Sequence, residues 1–283
     1  MSRAAADATP STGVETQLTF IIPQDDKPYF KSSALTGTVP EVHFQTERRP
    51  VLVGDMRALG AQMSLDEQGF ELHDYPSEIA DFYDDEAIQT TYEQELKDLL
   101  KKLTGADEVA VFDATRRSDA PDGAANPDGQ RGPADRVHVD YTVKSGPQRA
   151  KDALGEARVE EVLAAGGRIV QVNVWRPIKG PVRRTPLALA DASSIETEQL
   201  VATDQLFPDR TGEIYQLAYG SGQRWYWVPE MTPNEVLLIK GWDSLDDGRA
   251  QFTPHGAFNL PGQEEVPEPR ESIEVRTYLI FNA

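Results

Sequence analysis

Short apolar strands alternate with proline and glycine turns through the second half of the chain, and this punctuation constrains the fold more than any other feature. Residues 168–175 (RIVQVNVW) alternate so that Gln171, Asn173 and Trp175 share one face of a strand. Many short strands separated by turn residues are typical of a sandwich or barrel. We therefore predict a mainly β (α+β) fold. Further strands are predicted at 17–22, 109–112, 137–143, 214–218, 224–228, 235–240 and 272–281.

Two helical segments interrupt the strands. Residues 84–103 place apolar side chains at three- and four-residue spacing, which predicts an amphipathic helix. Residues 145–165 predict a second helical segment with a break near Gly155. Between them, residues 118–135 are rich in Gly, Pro and Asp and are predicted to form a mobile loop, either a lid or an insertion. We predict a disordered tail at 1–14 and a single domain at 15–283.

Composition narrows the chemistry. The chain of 283 residues has no cysteine, which excludes disulfides, iron–sulfur clusters and thiolate metal sites. A formal net charge of −19 argues against nucleic-acid binding. The sequence has neither an apolar run long enough for a membrane span nor the apolar segment of a signal peptide, so we expect a cytoplasmic protein that does not bind membranes. We expect that the protein can form a homodimer.

Only four histidines are present, and one of them lies in a His-x-Asp pair within a predicted strand. The period of two places His138 and Asp140 on one face, roughly 6–7 Å apart at the backbone. His255 follows a short strand and is a candidate third ligand. Two histidines and one carboxylate form the facial triad of non-haem iron(II) oxygenases, which leaves three metal positions open. The same spacing is equally compatible with structural histidines.

The last predicted strand opens with a basic and polar face. Arg270, Ser272, Glu274 and Arg276 alternate along it. A guanidinium with a hydroxyl two residues further on suits a carboxylate such as the distal group of 2-oxoglutarate, and both Arg270 and Arg276 are candidate anchors. Solvated strand charges paired with acidic neighbours are the alternative.

Other side chains are candidates for lining the same cavity. Asn173 is a candidate to bind the 2-oxoacid, and Trp175 and Arg176 are candidates for substrate contacts. Trp225 and Trp227 share a strand face and are candidates for stacking on substrate, with core packing as the alternative.

Six segments in order resemble the AsaB/CmcJ-type hydroxylase–desaturase family: VHVDYT, VNVWRPIKGPV, PLALADASSI, LIKGWDS, TPHGAF and PRESIEVR. The resemblance covers roughly residues 15–282. It implies a double-stranded β-helix, or jelly-roll, core that uses iron(II) and 2-oxoglutarate. It also implies iron ligands at His138, Asp140 and His255, and a 2-oxoglutarate anchor at Arg270 assisted by Ser272, with Arg276 as the rival.

The resemblance further implies the reaction class. Related halogenases have Ala or Gly at the position of Asp140, so a carboxylate there implies a hydroxylase or desaturase acting on a small molecule with dioxygen, in secondary metabolism. The segment from Asp140 to His255 is longer than in many jelly-roll oxygenases, which we expect the 147–165 helical insert and the 177–213 loops to explain. Two alternatives stay open: a cupin-like metal-binding protein or isomerase without oxygen chemistry, and a zinc hydrolase.

Overall fold

The computed structural model describes residues 13–36 and 40–283 and contains two main β-sheets flanked by short helices. The predicted tail at residues 1–12 lies outside this range, whereas Gly13 and Val14 belong to the first strand. The strands are β1 Gly13–Ile21, β2 Tyr29–Lys31, β3 Glu41–His43, β4 Thr46–Asp55, β5 Phe70–Asp74, β6 Glu108–Ser118, β7 Ala124–Asn126, β8 Gly129–Arg131, β9 His138–Val139, β10 Arg168–Pro177, β11 Leu187–Ala190, β12 Leu200–Leu206, β13 Thr211–Leu217, β14 Trp225–Trp227, β15 Glu235–Asp243, β16 His255–Ala257 and β17 Glu271–Phe281.

The helices are short and few. The α-helices are α1 Ser33–Thr36, α2 Asp85–Ala87, α3 Glu93–Thr104, α4 Ser145–Leu154 and α5 Glu156–Ala164, and a π-helical turn, Ile88–Tyr92, joins α2 to α3. Short 3₁₀ segments lie at Met56–Gln62, which is kinked at Gly60, and at Ala192–Ser194, Thr197–Gln199 and Gln263–Glu265.

The two sheets form the predicted jelly roll. One sheet has five strands in the order β5-β15-β10-β17-β6, and the other has ten in the order β1-β4-β14-β11-β16-β9-β13-β12-β2-β3. Apart from the pairs β12–β13 and β2–β3, neighbours in these orders are not consecutive in sequence, as expected when a chain winds between two facing sheets. The prediction of a mainly β fold with flanking helices is confirmed.

The five-stranded sheet has two unlike faces, and β10 shows why. Val170, Val172 and Val174 pack with α3 residues such as Leu96 and Leu100 in the largest core cluster. The alternate residues therefore face the ten-stranded sheet. These inward residues include buried polar side chains, Gln171 and Asn173. Because a buried polar group is costly without a partner, this face is where a functional site is expected.

The helix predicted at 84–103 is present as α2, the π turn and α3. The Asp84 carboxylate accepts hydrogen bonds from the backbone N–H groups of Glu86 and Ala87 and caps the first turn. Gly105, with a φ of 74°, ends the helix in the left-handed conformation that glycine adopts without strain.

The strand predicted at 137–143 is shorter than expected, since only His138–Val139 pairs as a strand. The Thr142 hydroxyl accepts hydrogen bonds from the backbone N–H groups of Lys144 and Ser145 at 3.1 and 3.0 Å. This local turn starts α4 and ends the strand. Helices α4 and α5, separated at Gly155 as predicted, pack on the sheet end that holds Ile169, Tyr278 and Ile280.

The 118–135 segment contains a small hairpin rather than irregular loop alone. Strands β7 and β8 pair there, and the Asn126 amide both accepts from the Arg116 backbone N–H at 2.7 Å and donates to its carbonyl at 3.0 Å. Side-chain bonds of this kind replace the sheet partner that an isolated hairpin lacks. In the described part of the chain, no helix is long and apolar enough to cross a membrane.

Candidate metal and 2-oxoacid site

Two strands of the ten-stranded sheet bring the two predicted histidine ligands together. His138 on β9 lies directly opposite His255 on β16 in an antiparallel pair, and their ring centroids are 4.7 Å apart. Asp140 follows β9, and its Oδ1 lies 3.6 Å from His138 Nε2. One ligand atom from each of the three residues lies within 4.8 Å of the others, a spacing that suits a single metal ion.

Both imidazoles are oriented for metal binding through Nε2. His138 Nδ1 lies 2.8 Å from the Arg136 carbonyl, and His255 Nδ1 lies 2.9 Å from the Thr253 carbonyl. A carbonyl only accepts, so Nδ1 carries the proton and Nε2 keeps its lone pair. Hydrogen bonds of this kind fix the ring orientation of metal-ligating histidines.

The charge state also suits ligation. Burial, and then the nearby His138, lower the pKa of His255, so its ring is neutral near pH 7. Burial alone would raise the pKa of Asp140, but the positive charge of Arg276 holds it well below its usual range. The group therefore presents a neutral His255 imidazole and an ionised Asp140 carboxylate beside the His138 ring.

Asp140 is held by two donors from the five-stranded sheet. Asn173 Nδ2 donates to Oδ2 at 2.8 Å, and Arg276 Nε donates to the same oxygen at 3.3 Å. Gln171 Nε2 donates to Asn173 Oδ1 at 2.6 Å, which fixes the direction of the Asn173 amide. Asn173, a predicted 2-oxoacid ligand, thus has a carboxylate partner, and Oδ1 of Asp140 stays directed toward the histidines.

Arg276 on β17 and Arg270, which immediately precedes that strand, have opposite surroundings, although their side chains alternate onto the same face. Arg276 forms ion pairs with three carboxylates: Asp113, Asp140 at 3.3 Å and Glu274 at 2.6 Å. These partners raise its pKa despite burial. Arg276 is therefore a partner of the Asp140 carboxylate, and its three ion pairs leave it poorly suited to anchor a cofactor carboxylate.

Arg270 is buried without a compensating charge. Its Nη1 donates to Ser272 Oγ at 2.5 Å, its Nε lacks an acceptor, and no carboxylate of the described chain pairs with its guanidinium. Burial, followed by the charge of Arg117, lowers its pKa to about 10. Trp175 lies beneath it, with the ring centroid 5.8 Å from Cζ. A buried cation in this state favours an anionic ligand.

Three predicted substrate contacts, Arg176, Trp225 and Trp227, do not face the metal-binding group in this structure. Arg176 projects from the opposite face of β10, where it packs over the Phe82 and Tyr92 rings and donates to the Tyr75 carbonyl. It borders a cavity of about 480 Å³ on that side, whose lining includes no histidine. Successive side chains of a strand point to opposite faces of the sheet. Because Trp175 faces the ten-stranded sheet, its neighbour Arg176 points to the other side.

Trp225 and Trp227 do share a face, but it is the face turned away from the metal-binding group. Both pack in a cluster with Phe20 and Phe258. The residue between them, Tyr226, lies instead in the cluster that contains Trp175. Core packing, the alternative for these tryptophans, is what the structure shows.

Several residues of the site were missed from the sequence. Gln171 and Asn173 alternate on one predicted face, so the strand pattern carried a signal for Gln171. No sequence pattern indicated Arg117 or Asp113. The strand that holds them was predicted to end near residue 112, whereas β6 continues to Ser118.

Together, the jelly-roll sheets and the two-histidine, one-carboxylate group define a mononuclear metal-binding β-helix protein of the oxygenase type. Comparison with known proteins gives the family. A family model described as an oxidoreductase/YMDC permease-like domain matches residues 18–281. The alpha-ketoglutarate-dependent dioxygenase phiK of Fungal sp. is 35% identical, over 82% of this chain and 84% of that protein. The hydroxylase/desaturase efuI of Hormonema carpetanum is 34% identical, over 87% of this chain and 88% of its own length.

A solved structure agrees with these sequence matches. The iron and alpha-ketoglutarate-dependent endoperoxidase NvfI superposes with a TM-score of 0.79 and 25% identity, covering 95% of this chain and 98% of that chain. The chain therefore belongs to this oxidoreductase family, and within it to the hydroxylase/desaturase group of iron(II)/2-oxoglutarate-dependent dioxygenases. It is an enzyme of that class, as predicted.

Proposed function

We propose that the chain is an iron(II)- and 2-oxoglutarate-dependent oxygenase that hydroxylates or desaturates a small secondary metabolite, with dioxygen as co-substrate. His138, Asp140 and His255 are the proposed iron ligands. The observation that carries the proposal is the pairing of this group with an uncompensated buried cation, Arg270, on the facing sheet. A metal group alone fits many activities, whereas a metal with a separate carboxylate anchor fits a bound 2-oxodicarboxylate.

Bound iron(II) and 2-oxoglutarate would supply the oxidising chemistry, and the protein provides position and protection from water. The hydrogen bonds at Nδ1 of both histidines keep their Nε2 atoms available. Asn173 and Arg276 hold one oxygen of Asp140 and leave the other for the metal. Arg270 and Ser272 would bind the distal carboxylate, and Trp175 would form an apolar wall beside it.

The cupin-like alternative accounts for the metal group but not for Arg270. A protein that binds only a metal gains nothing from a buried guanidinium without a counter-ion, which costs desolvation energy. We propose further that residues 15–283 act as one domain in the cytoplasm. A homodimer remains our proposal for assembly, and light scattering at micromolar concentration tests it.

Anaerobic titration tests the assignment of function. With iron(II) and 2-oxoglutarate, the wild type should develop a weak visible charge-transfer band and, once dioxygen is admitted, should form succinate. His138→Ala should lose both signals, and Arg270→Gln should lose the band at 2-oxoglutarate concentrations that saturate the wild type. His73→Ala is the matched control, because His73 pairs with Glu71 at 2.8 Å outside the metal group. Unchanged succinate formation by His138→Ala would refute the proposal.

A further inference from the structure

A second arginine lies beside the proposed carboxylate anchor. Arg117 on β6 is directly opposite Ser272 on β17 in the antiparallel register, so the two side chains project from the same face. Arg270 reaches the same hydroxyl along β17, with 2.5 Å between its Nη1 and Ser272 Oγ. Two guanidinium-bearing side chains therefore flank one serine.

Neither arginine has an ion-pair partner within the described residues. Arg117 donates through Nη1 to the Gly132 carbonyl at 2.9 Å, which is a neutral acceptor. The acidic group that acts on it most strongly, Glu274, is engaged by Arg276 at 2.6 Å. Asp119 is also engaged elsewhere, through its ion pair with Arg184.

Two adjacent cations without carboxylate partners disfavour each other in an enclosed site. Arg270 is buried and Arg117 is half-buried, so both lose hydration, and the like charge adds repulsion that an anion between them would remove. A carboxylate has two oxygens and about four acceptor positions, enough for a forked guanidinium, a hydroxyl and a second guanidinium together. The site therefore has more positive charge than one anchoring arginine would supply.

We propose that Arg117 is a second binding residue for the distal carboxylate of 2-oxoglutarate, shared with Arg270 and Ser272. This inference rests on the proposed function. It assigns to Arg117 the selection of five-carbon 2-oxodicarboxylates over 2-oxoacids that end in a methyl group. The Gly132 contact also ties the 118–135 segment to the residue that holds the cofactor carboxylate.

The test compares two cofactor analogues in the full-length, metal-loaded protein without dioxygen. Affinities for 2-oxoglutarate and for 2-oxopentanoate, which lacks the distal carboxylate, are measured by the visible band or by calorimetry with cobalt(II). Arg117→Gln should weaken 2-oxoglutarate binding by roughly 10- to 100-fold, as expected for a lost charge-assisted contact, and leave 2-oxopentanoate binding within about threefold. Arg117→Lys, which keeps the charge without the fork, should give an intermediate ratio and guards against misfolding of the glutamine variant.

Arg131→Gln is the matched control for loss of one positive charge, because Arg131 pairs with Asp128 on the nearby hairpin. It should change neither affinity. Equal weakening of both 2-oxoacids by Arg117→Gln would show a purely structural role, and unchanged 2-oxoglutarate affinity would exclude contact. Either result overturns the inference and leaves the proposed function intact, whereas failure of the wild type to bind 2-oxoglutarate would overturn the proposed function itself.

Discussion

Asn173 gives the sharpest test of how the metal group is held. It is fully buried, and its amide joins Asp140 Oδ2 at 2.8 Å to the Gln171 side chain. Asn173→Ala removes the shorter of the two donors to Asp140, while Arg276 Nε stays at 3.3 Å. Removing a residue that hydrogen-bonds a metal ligand typically weakens metal affinity by about 10- to 100-fold. Because Arg276 still donates to Asp140 in this variant, we expect a loss at the lower end of that range, about tenfold or about 1.4 kcal/mol.

Metal affinity is measured by titrating cobalt(II) or manganese(II) into the metal-free protein and following the heat or the thermal midpoint. Thr203→Val is the control, because Thr203 is equally buried on β12 and its hydroxyl donates only to the Val201 carbonyl. It should destabilise the fold by about 1 kcal/mol without changing metal affinity. Two results would refute the argument that Asn173 positions Asp140. In the first, Asn173→Ala keeps a metal affinity within threefold of the wild type; in the second, Thr203→Val loses as much metal affinity as Asn173→Ala.

Two further predictions concern the ion-pair cluster at the end of β15, where Lys240 lies 3.0 Å from Asp243 and 2.7 Å from Asp66. Lys240→Met should lower the free energy of unfolding by about 3 kcal/mol. This value is at the lower end of the cost of breaking a buried ion pair, because Arg168 still contacts Asp243 in the variant. An unchanged urea midpoint would contradict the prediction. Burial would raise the pKa of Asp66, but hydrogen bonds from Arg168 and Lys240 lower it to about 2. Its contribution to stability should therefore be present above about pH 4 and be lost as pH falls toward 2, and Asp66→Asn should flatten the pH dependence of the urea midpoint in that interval.

Patterns that repeat along one element were predictable from sequence. The helix predicted at residues 84–103 and the break between α4 and α5 at Gly155 were found as predicted, because those signals are local. Strand lengths were less predictable. Polar residues such as Thr115 and Arg117 belong to β6 only because β17 pairs with them over its whole length. That pairing is set by the sheet and not by the propensity of the residues themselves.

The clustering of His138, Asp140 and His255 was predictable from the sequence, whereas the residues that hold this cluster in place were not. The spacing of His138 and Asp140 is local, whereas His255 reaches them through a strand pairing that residues between 141 and 254 bring about. Strand alternation also correctly grouped Trp225 with Trp227. It could not tell which side of the sheet they face, because that depends on how the ten-stranded sheet wraps around its partner.

Charge along the inner face of β17 explains why one face can hold two ligands of opposite sign. Near the histidines, Arg276 meets three carboxylates, so this end carries an excess of negative charge suited to a cation. Toward the start of the strand, Arg270 and Arg117 lack carboxylate partners in the described chain, so that end carries an excess of positive charge suited to an anion. A metal ion bound at the first end and a dicarboxylate reaching the second would neutralise both. Because opposite charges placed within one enclosed face interact strongly, occupation of either end should favour occupation of the other.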